Sequence, residues 1–124
     1  MIVGIGHDIA SVERLRAAMA RHGDRFTDRI LTRQELEPLR ERYNRAEAIA
    51  GRFAAKEAAR KALGGDAVAW HDVQVLPEPS GAPRLLLSGD ALSRAQALGA
   101  SRWFVSITHD AGVAAAVVIL EGQP

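Results

Sequence analysis

The feature that most constrains the fold is an uninterrupted helical pattern from Arg45 to Leu63, which Asn44 precedes and Gly64-Gly65 follows. Asparagine is a common residue at a helix N-terminus, and glycine commonly ends a helix. Apolar residues recur inside this stretch at the spacing of one helix face, namely Ala46, Ile49, Ala50, Phe53, Ala54 and Ala58. We therefore expect a long helix around which the rest of the chain is organised.

Two charged residues continue this apolar stripe. Glu57 and Lys61 lie one helical turn apart, and Phe53 precedes Glu57 by the same step. A glutamate four residues before a lysine commonly stabilises an exposed helix by roughly 0.2–0.5 kcal/mol, which is the structural interpretation. At the edge of a buried face, the same two groups are also suited to a polyanion and its metal ion. The helix alone favours the structural interpretation.

The first third of the sequence predicts one strand and several short helices. Residues 1–8 read as a strand, in which Gly4 and Gly6 indicate a bulge or the close approach of another backbone. Ser11 is a good cap for a helix carrying Val12, Leu15 and Met19. Residues 32–35 form a capping-box pattern that begins another short helix.

The second half changes from helical to alternating patterns. Strands are predicted at 70–76, 84–87, 103–109 and 113–120, with a helix after Ser88 or Asp90 that ends at Gly99. This order of elements predicts an α+β fold with a largely antiparallel sheet, packed with one long and several short helices. We expect a single domain over residues 1–124.

Composition excludes several kinds of function. The chain has no cysteine, which excludes disulfides, thiolate catalysis and zinc–sulfur sites. A net charge of +1 and an aromatic content of 5% argue against a nucleic-acid-binding domain. No apolar run has the length of a membrane span and no signal-peptide pattern opens the sequence, so we expect a cytoplasmic protein without a membrane partner. At 124 residues the chain is small for a self-contained cleft, which favours a site assembled between subunits.

Other polar residues have two interpretations each. Arg14, Arg21 and Arg25 follow one another at intervals of seven and four, as either a solvated helix face or a docking surface for an acidic partner. His109 ends a predicted strand just before a turn, where a lone histidine is usually structural. No phosphate-binding loop, dinucleotide fingerprint or metal-binding histidine pair is present.

Taken together, five segments in chain order resemble the holo-acyl-carrier-protein synthases, the small bacterial phosphopantetheinyl transferases. The similarity spans nearly the whole chain, and the third segment matches the family's signature helix almost letter for letter. The segments are Gly4–Ile9 followed by Glu13-Arg14, Arg29–Leu36, Arg52–Ala58 with Lys61–Leu63, Gly81–Leu85, and Val105–His109.

The resemblance implies transfer of 4′-phosphopantetheine from coenzyme A to a serine of apo acyl carrier protein, with release of adenosine 3′,5′-bisphosphate. It implies that Asp8 and Glu57 bind Mg²⁺ and that Lys61 adds a positive charge next to the departing phosphate. Arg52 and His109 would meet the 3′-phosphate of the nucleotide. The base that takes the serine proton stays open between a metal-bound water and Glu57.

The resemblance also implies partners and an assembly. The arginine surface formed by Arg14, Arg21 and Arg25 would dock the acidic helix of the carrier protein. Family members form trimers with shared active sites, in which strands at 73–76 and 105–119 would bury their outer faces and His109 would face Asp8 and Glu57 of a neighbour. Residues 64–70 form a shorter loop than is usual in the family. The alternative function is a non-catalytic module that binds the carrier protein or coenzyme A.

Overall fold

The predicted long helix runs from Arg45 to Leu63, and the remaining elements cover most of its surface. The computed structural model describes residues 1–65 and 67–124. In chain order, the elements are β1 Ile2–Ser11, α1 Val12–His22, α2 Asp24–Ile30, α3 Arg33–Leu36, α4 Arg45–Leu63, β2 Val73–Pro77, β3 Pro83–Leu87, α5 Gly89–Ala97, β4 Ala100–Asp110 and β5 Val113–Gly122, with 3₁₀ turns at Glu37–Leu39 and Trp70–Asp72.

Two antiparallel sheets accompany the helices, as the α+β prediction requires. The larger sheet has the order β1-β5-β4 and packs its inner face on α4, while β2 and β3 form a separate hairpin. The indole Nε1 of Trp103 donates a hydrogen bond to the carbonyl of Leu85 and so joins β4 to β3 (3.2 Å). No helix in the described residues is long and apolar enough to cross a membrane.

Two glycines let β1 lie directly against α4, which confirms the predicted close approach of a backbone. A Cβ atom added at Gly4 would lie 2.5 Å from the carbonyl oxygen of Ala62, and one added at Gly6 would overlap the carbonyl oxygen of Ala58. Both obstacles are backbone atoms of a helix, so they cannot rotate away. The separation of β1 and α4 is therefore set by the absence of side chains at these positions.

We expect Gly6→Ala to lower the free energy of unfolding by at least about 1–3 kcal/mol, because the added methyl group must push β1 away from α4. Urea unfolding followed by circular dichroism would measure the change. Gly65→Ala is the control for stability, since a Cβ there would meet nothing closer than 3.9 Å. Equal unfolding midpoints for the two variants would contradict the close-packing explanation.

A buried ion pair, which the sequence did not reveal, connects α3, α4, β2 and the 3₁₀ turn at Trp70–Asp72. The ammonium of Lys56 lies 2.7 Å from the Glu35 carboxylate and donates to the carbonyls of Trp70 and Val73. Both charged side chains are fully buried. The other Glu35 oxygen accepts the backbone N–H of Val75. Burial lowers the pKa of Lys56, while the charge of Glu35 and its hydrogen bond act in the opposite direction.

The capping predictions are partly confirmed. Ser11 accepts from the backbone N–H of Arg14, and the capping box of Thr32 and Glu35 is present. The prediction that Asn44 caps α4 is wrong for its side chain, because its Oδ1 atom accepts instead from Nε of Arg42 (2.9 Å).

Two predicted boundaries are also wrong. β1 extends past Asp8 to Ser11, because its pairing with β5 continues to Val113. The strand predicted from Trp70 begins only at Val73. The preceding three residues form a 3₁₀ turn, in which the carbonyl of Trp70 faces Lys56 and its ring stacks on Phe53.

Candidate active site

Asp8 and Lys61, remote in the sequence, form one side of the candidate site. Asp8 lies in the inner face of β1, and its Oδ1 atom is 2.9 Å from the ammonium of Lys61 near the end of α4. The same ammonium donates to the carbonyl of His7 (3.1 Å). The Asp8 side chain is 18% exposed, so its carboxylate lies at the surface of a cleft and remains open to a ligand.

Glu57 lies one helical turn before Lys61, as predicted, but the two residues pair with different partners. Its Oε1 atom accepts from Nη1 of Arg60 at 2.9 Å, whereas Lys61 contacts Asp8. A cleft of about 290 Å³ is lined by Glu57, Arg60, Lys61, Gly64 and Gly65. The Glu57–Lys61 salt bridge of the structural interpretation is therefore replaced by a Glu57–Arg60 pair on the same helix.

The chemistry of these groups suits a magnesium ion. Mg²⁺ prefers oxygen ligands and is commonly held by one or two carboxylates, with waters and substrate phosphates as the remaining ligands. Asp8 and Glu57 supply two such carboxylates. Lys61 contacts Asp8 directly and lies one helical turn beyond Glu57 on α4. Among the described residues, no group of three or more histidine, cysteine or acidic side chains is placed to hold a metal ion, so the remaining ligands would have to be water or substrate oxygens.

A second group of basic side chains lines a cleft of about 200 Å³, with Arg52 and His109 among the lining residues. Arg52 Nη1 donates to the carbonyl of Ala48 at 3.3 Å, and the buried Nε atom of Arg52 has no hydrogen-bond partner within residues 1–65 and 67–124. Burial lowers the pKa of Arg52, Arg42 adds to this effect, and Glu35 opposes it. A buried donor of this kind is suited to an anion.

Arg42 is a further member of this second group. No local sequence pattern marks it, because only the folded chain brings it to the cleft. His109 also lines this cleft, and its Nε2 atom donates to the carbonyl of Glu47 (2.9 Å). Gly51 makes room for the imidazole, because a Cβ added there would lie 2.8 Å from Nε2. A glycine inside a helix costs about 1 kcal/mol relative to alanine, so its presence was a sequence signal of close contact.

The two groups face different directions on the same helix. Arg52 and Glu57 are five residues apart, which corresponds to about 140° of rotation around the axis of α4. Asp8 lies on β1 and His109 on β4, at opposite edges of the sheet with β5 between them. Within one chain, the structure therefore brings Asp8 to Lys61 and Arg52 to His109, but it does not bring His109 to Asp8.

The outer face of the large sheet is the side turned away from α4, and it is largely apolar. Ile5, Ile9 and Phe104 are 62%, 70% and 44% exposed. Their neighbours across the strands form three rows, which are Ile5–Ile119–Phe104, His7–Val117–Ser106 and Ile9–Ala115–Thr108. Residues 73–76 bury Val73 and Val75 in the chain's own core, while Gln74 and Leu76 on the other face of the strand are half-buried, so the expected contribution of this strand to an interface stays a prediction.

The three residues of the arginine surface lie on two helices, whereas a single helix face was one of the predicted interpretations. Arg14, Arg21 and Arg25 are all exposed. Arg14 and Arg21 lie two turns apart on α1. Gly23, with a φ of 57°, ends α1, and Arg25 belongs to α2, so the spacing of four is not a helical repeat.

The sequence profile of the 4′-phosphopantetheinyl transferase superfamily matches residues 4–118. The chain belongs to this superfamily. It is 49% identical to the holo-[acyl-carrier-protein] synthase of Solidesulfovibrio magneticus, over 98% of this chain and 100% of the relative.

Solved structures of the same family have the same fold. The holo-[acyl-carrier-protein] synthase of Neisseria meningitidis superposes with a TM-score of 0.87 at 34% identity, over 98% of this chain and 99% of that one. The Helicobacter pylori synthase, solved in complex with coenzyme A, has a TM-score of 0.82 at 32% identity and covers 94% and 99% of the two chains. The resemblance inferred from the five motifs is confirmed. Residues 64–70 include a position outside the described residues, so the predicted shortness of that loop stays a prediction.

Proposed function

We propose that this chain is a holo-[acyl-carrier-protein] synthase, which transfers 4′-phosphopantetheine from coenzyme A to a serine hydroxyl of apo acyl carrier protein and releases adenosine 3′,5′-bisphosphate. The family membership supports the reaction class. The observation that carries the proposal is the contact between Asp8 and Lys61 (2.9 Å), because it joins the Asp8 carboxylate to an ammonium that lines a cleft together with Glu57. We propose a single domain over residues 1–124 in the cytoplasm.

The reaction forms a bond from the serine oxygen to the phosphorus that carries pantetheine, and it breaks the bond between that phosphorus and the bridging oxygen of the diphosphate. Negative charge develops on the departing phosphate, where the Lys61 ammonium would stabilise it. Mg²⁺ bound by Asp8 and Glu57 would neutralise charge on the diphosphate. The serine proton passes either to water or to the Glu57 carboxylate.

Incubation of apo acyl carrier protein with the chain, coenzyme A and Mg²⁺, followed by mass spectrometry of the intact carrier, tests this function. We expect the mass of one phosphopantetheine arm to appear on the carrier. If a panel of apo carriers gains no mass while the protein is folded and binds coenzyme A, the chain is a binding module and not a transferase. EDTA should stop the reaction, and added Mg²⁺ should restore it.

We assign the cleft between Arg52 and His109 to the 3′-phosphate of coenzyme A. Arg52→Ala is expected to raise KM for coenzyme A by about 10- to 100-fold, because it removes a charge-assisted contact to that phosphate. The same substitution should change KM for 3′-dephospho-coenzyme A by less than about twofold, since that cosubstrate lacks the group. Steady-state kinetics with both cosubstrates would measure the difference, and equal losses would contradict the assignment.

A homotrimer with active sites between subunits is part of the proposal. The apolar outer face supports it, because an exposed face of this kind indicates an interface. The separation of His109 from Asp8 within one chain also supports it, since a neighbouring subunit would supply the missing half of each site. Docking of the carrier protein's acidic helix on Arg14, Arg21 and Arg25 is proposed from their common exposure.

Charged substitutions in the outer face test the assembly. Phe104→Glu is expected to convert trimers into monomers, because a buried carboxylate without a partner would be strongly unfavourable at the interface. Sedimentation equilibrium would measure the mass. Arg84→Glu, on the exposed side of β3, is the control and should leave the mass unchanged. A wild-type chain that sediments as a monomer would contradict the trimer.

A further inference from the structure

Arg60 is a basic residue of the candidate site that the proposed reaction leaves without a role. Its Nη1 atom lies 2.9 Å from Oε1 of Glu57, and its guanidinium carbon lies 4.5 Å from the centre of the Trp70 ring. Trp70 in turn stacks on Phe53, with ring centroids 5.4 Å apart. The guanidinium therefore has a defined position between a carboxylate and an aromatic face.

In this position, Arg60 competes with a metal ion for a carboxylate oxygen of Glu57. Oε1 of Glu57 accepts the Arg60 hydrogen bond, and Glu57 is one of the two proposed ligands of Mg²⁺. A cation that uses this oxygen must displace the guanidinium and is repelled by its charge. The contact consequently opposes binding of a divalent ion by the protein alone.

The cleft of about 290 Å³ next to Glu57 offers Arg60 another partner when coenzyme A binds. Arg60 lines it together with Glu57 and Lys61, where the diphosphate of the cosubstrate is proposed to lie. Guanidinium groups bind phosphate and carboxylate oxygens in the same bidentate manner. A diphosphate in this cleft can therefore take the guanidinium from Glu57 and leave the carboxylate to the metal.

We propose that Arg60 is a positioning residue that couples the binding of the divalent ion to the binding of coenzyme A. Without the cosubstrate it holds Glu57 and lowers affinity for the ion. With the cosubstrate it contacts the diphosphate, so each ligand strengthens the binding of the other. This inference rests on the proposed function, because it takes Glu57 as a metal ligand and the cleft as the diphosphate site.

The test compares wild type with Arg60→Ala in binding Mn²⁺, a probe of the metal site, by electron paramagnetic resonance. Without coenzyme A, we expect Arg60→Ala to bind Mn²⁺ about two- to fivefold more tightly, because a competing ion pair is gone. With Mn²⁺ present, we expect it to bind coenzyme A at least about fivefold more weakly. A purely structural role for Arg60 would weaken both ligands, so the opposite signs identify the coupling.

Arg40→Ala is the matched control. Arg40 forms an ion pair with Glu37 at the same helical spacing of three, and both side chains are largely exposed away from the cleft. Its loss removes the same charge and should change neither affinity by more than about twofold. Arg60→Lys should retain part of the coupling, since its ammonium can still contact a phosphate.

Three results would overturn the inference. Weaker Mn²⁺ binding by Arg60→Ala without coenzyme A would show that Arg60 supports the metal site and does not compete for it. An unchanged coupling factor would show that Arg60 does not contact the diphosphate. No binding of Mn²⁺ by wild type, even with coenzyme A, would remove the metal assignment and this inference together. Failure of carrier modification alongside the expected binding changes would contradict the transferase function only.

Discussion

Asp8→Ala is expected to reduce the rate of carrier-protein modification by at least about 10³-fold. Loss of a single preorganised group that stabilises transition-state charge commonly costs 10²–10³-fold. Asp8 contacts Lys61 and is proposed to bind the metal ion as well, so its loss should remove more than one such contribution. The substitution leaves the Lys61 ammonium, which is proposed to stabilise the departing phosphate, without the carboxylate that holds it. Single-turnover kinetics with apo carrier protein, read by mass spectrometry, would measure the loss.

The fold should survive this substitution. The ion pair of Asp8 with the exposed Lys61 is partly solvated, and such pairs contribute about 0–1 kcal/mol to stability. Thermal unfolding should therefore be close to that of wild type. Glu121→Ala serves as a control, because it removes another solvated pair, with Arg102, and should retain activity. An Asp8→Ala protein with more than about a tenth of the wild-type rate would contradict the assigned role.

Lys56→Ala is expected to lower the free energy of unfolding by about 3–5 kcal/mol. It leaves the fully buried Glu35 carboxylate without its counter-charge, and removal of one member of a buried pair has costs of this size. The carbonyls of Trp70 and Val73 lose their donor at the same time. Because a small domain has a total stability of about 5–15 kcal/mol, this variant should be close to unfolding. Chemical denaturation with a fluorescence readout would give the value.

Two further variants separate charge burial from a general effect of substitution. Glu37→Ala, in an exposed pair two residues from Glu35, should cost less than about 1 kcal/mol. The double variant Lys56→Met with Glu35→Leu removes both buried charges, and it should be more stable than Lys56→Ala. A double variant less stable than Lys56→Ala would indicate that the hydrogen bonds, and not the unpaired charge, dominate the cost.

The sequence predicted the helix that carries the site but not the contacts across the fold. The pattern from Arg45 to Leu63 gave α4 its correct ends, and the glycines in β1 indicated the close packing that the structure has. Both predictions depend on local rules of spacing and steric size. The partner of Glu57 depends in addition on Trp70, which holds the guanidinium of Arg60 from a different part of the chain. Helical spacing allows Glu57 to pair with either Arg60 or Lys61, and the contacts from Trp70 and Asp8 distinguish the two.

The buried ion pair was missed for a related reason. Periodicity treats a lysine as a solvent-facing residue, although Lys56 lies among alanines that are almost fully buried. The local pattern around its partner Glu35 is that of a capping box, a role that Glu35 also fills. Glu35 both caps a helix and pairs with Lys56, but only the capping role has a local sequence pattern. The ion pair is therefore visible only in the folded structure.

Lys56 and Glu57 are consecutive residues, and this adjacency links the core of the protein to its chemistry. The Lys56 ammonium is held by groups from three other parts of the chain, so α4 can neither rotate about its axis nor slide along it without breaking these bonds. One residue of a helix corresponds to about 100° of rotation, so fixing the azimuth of Lys56 also fixes that of Glu57. Substitutions of the groups that hold Lys56 should therefore change the direction of the Glu57 carboxylate, even where they are too mild to unfold the domain.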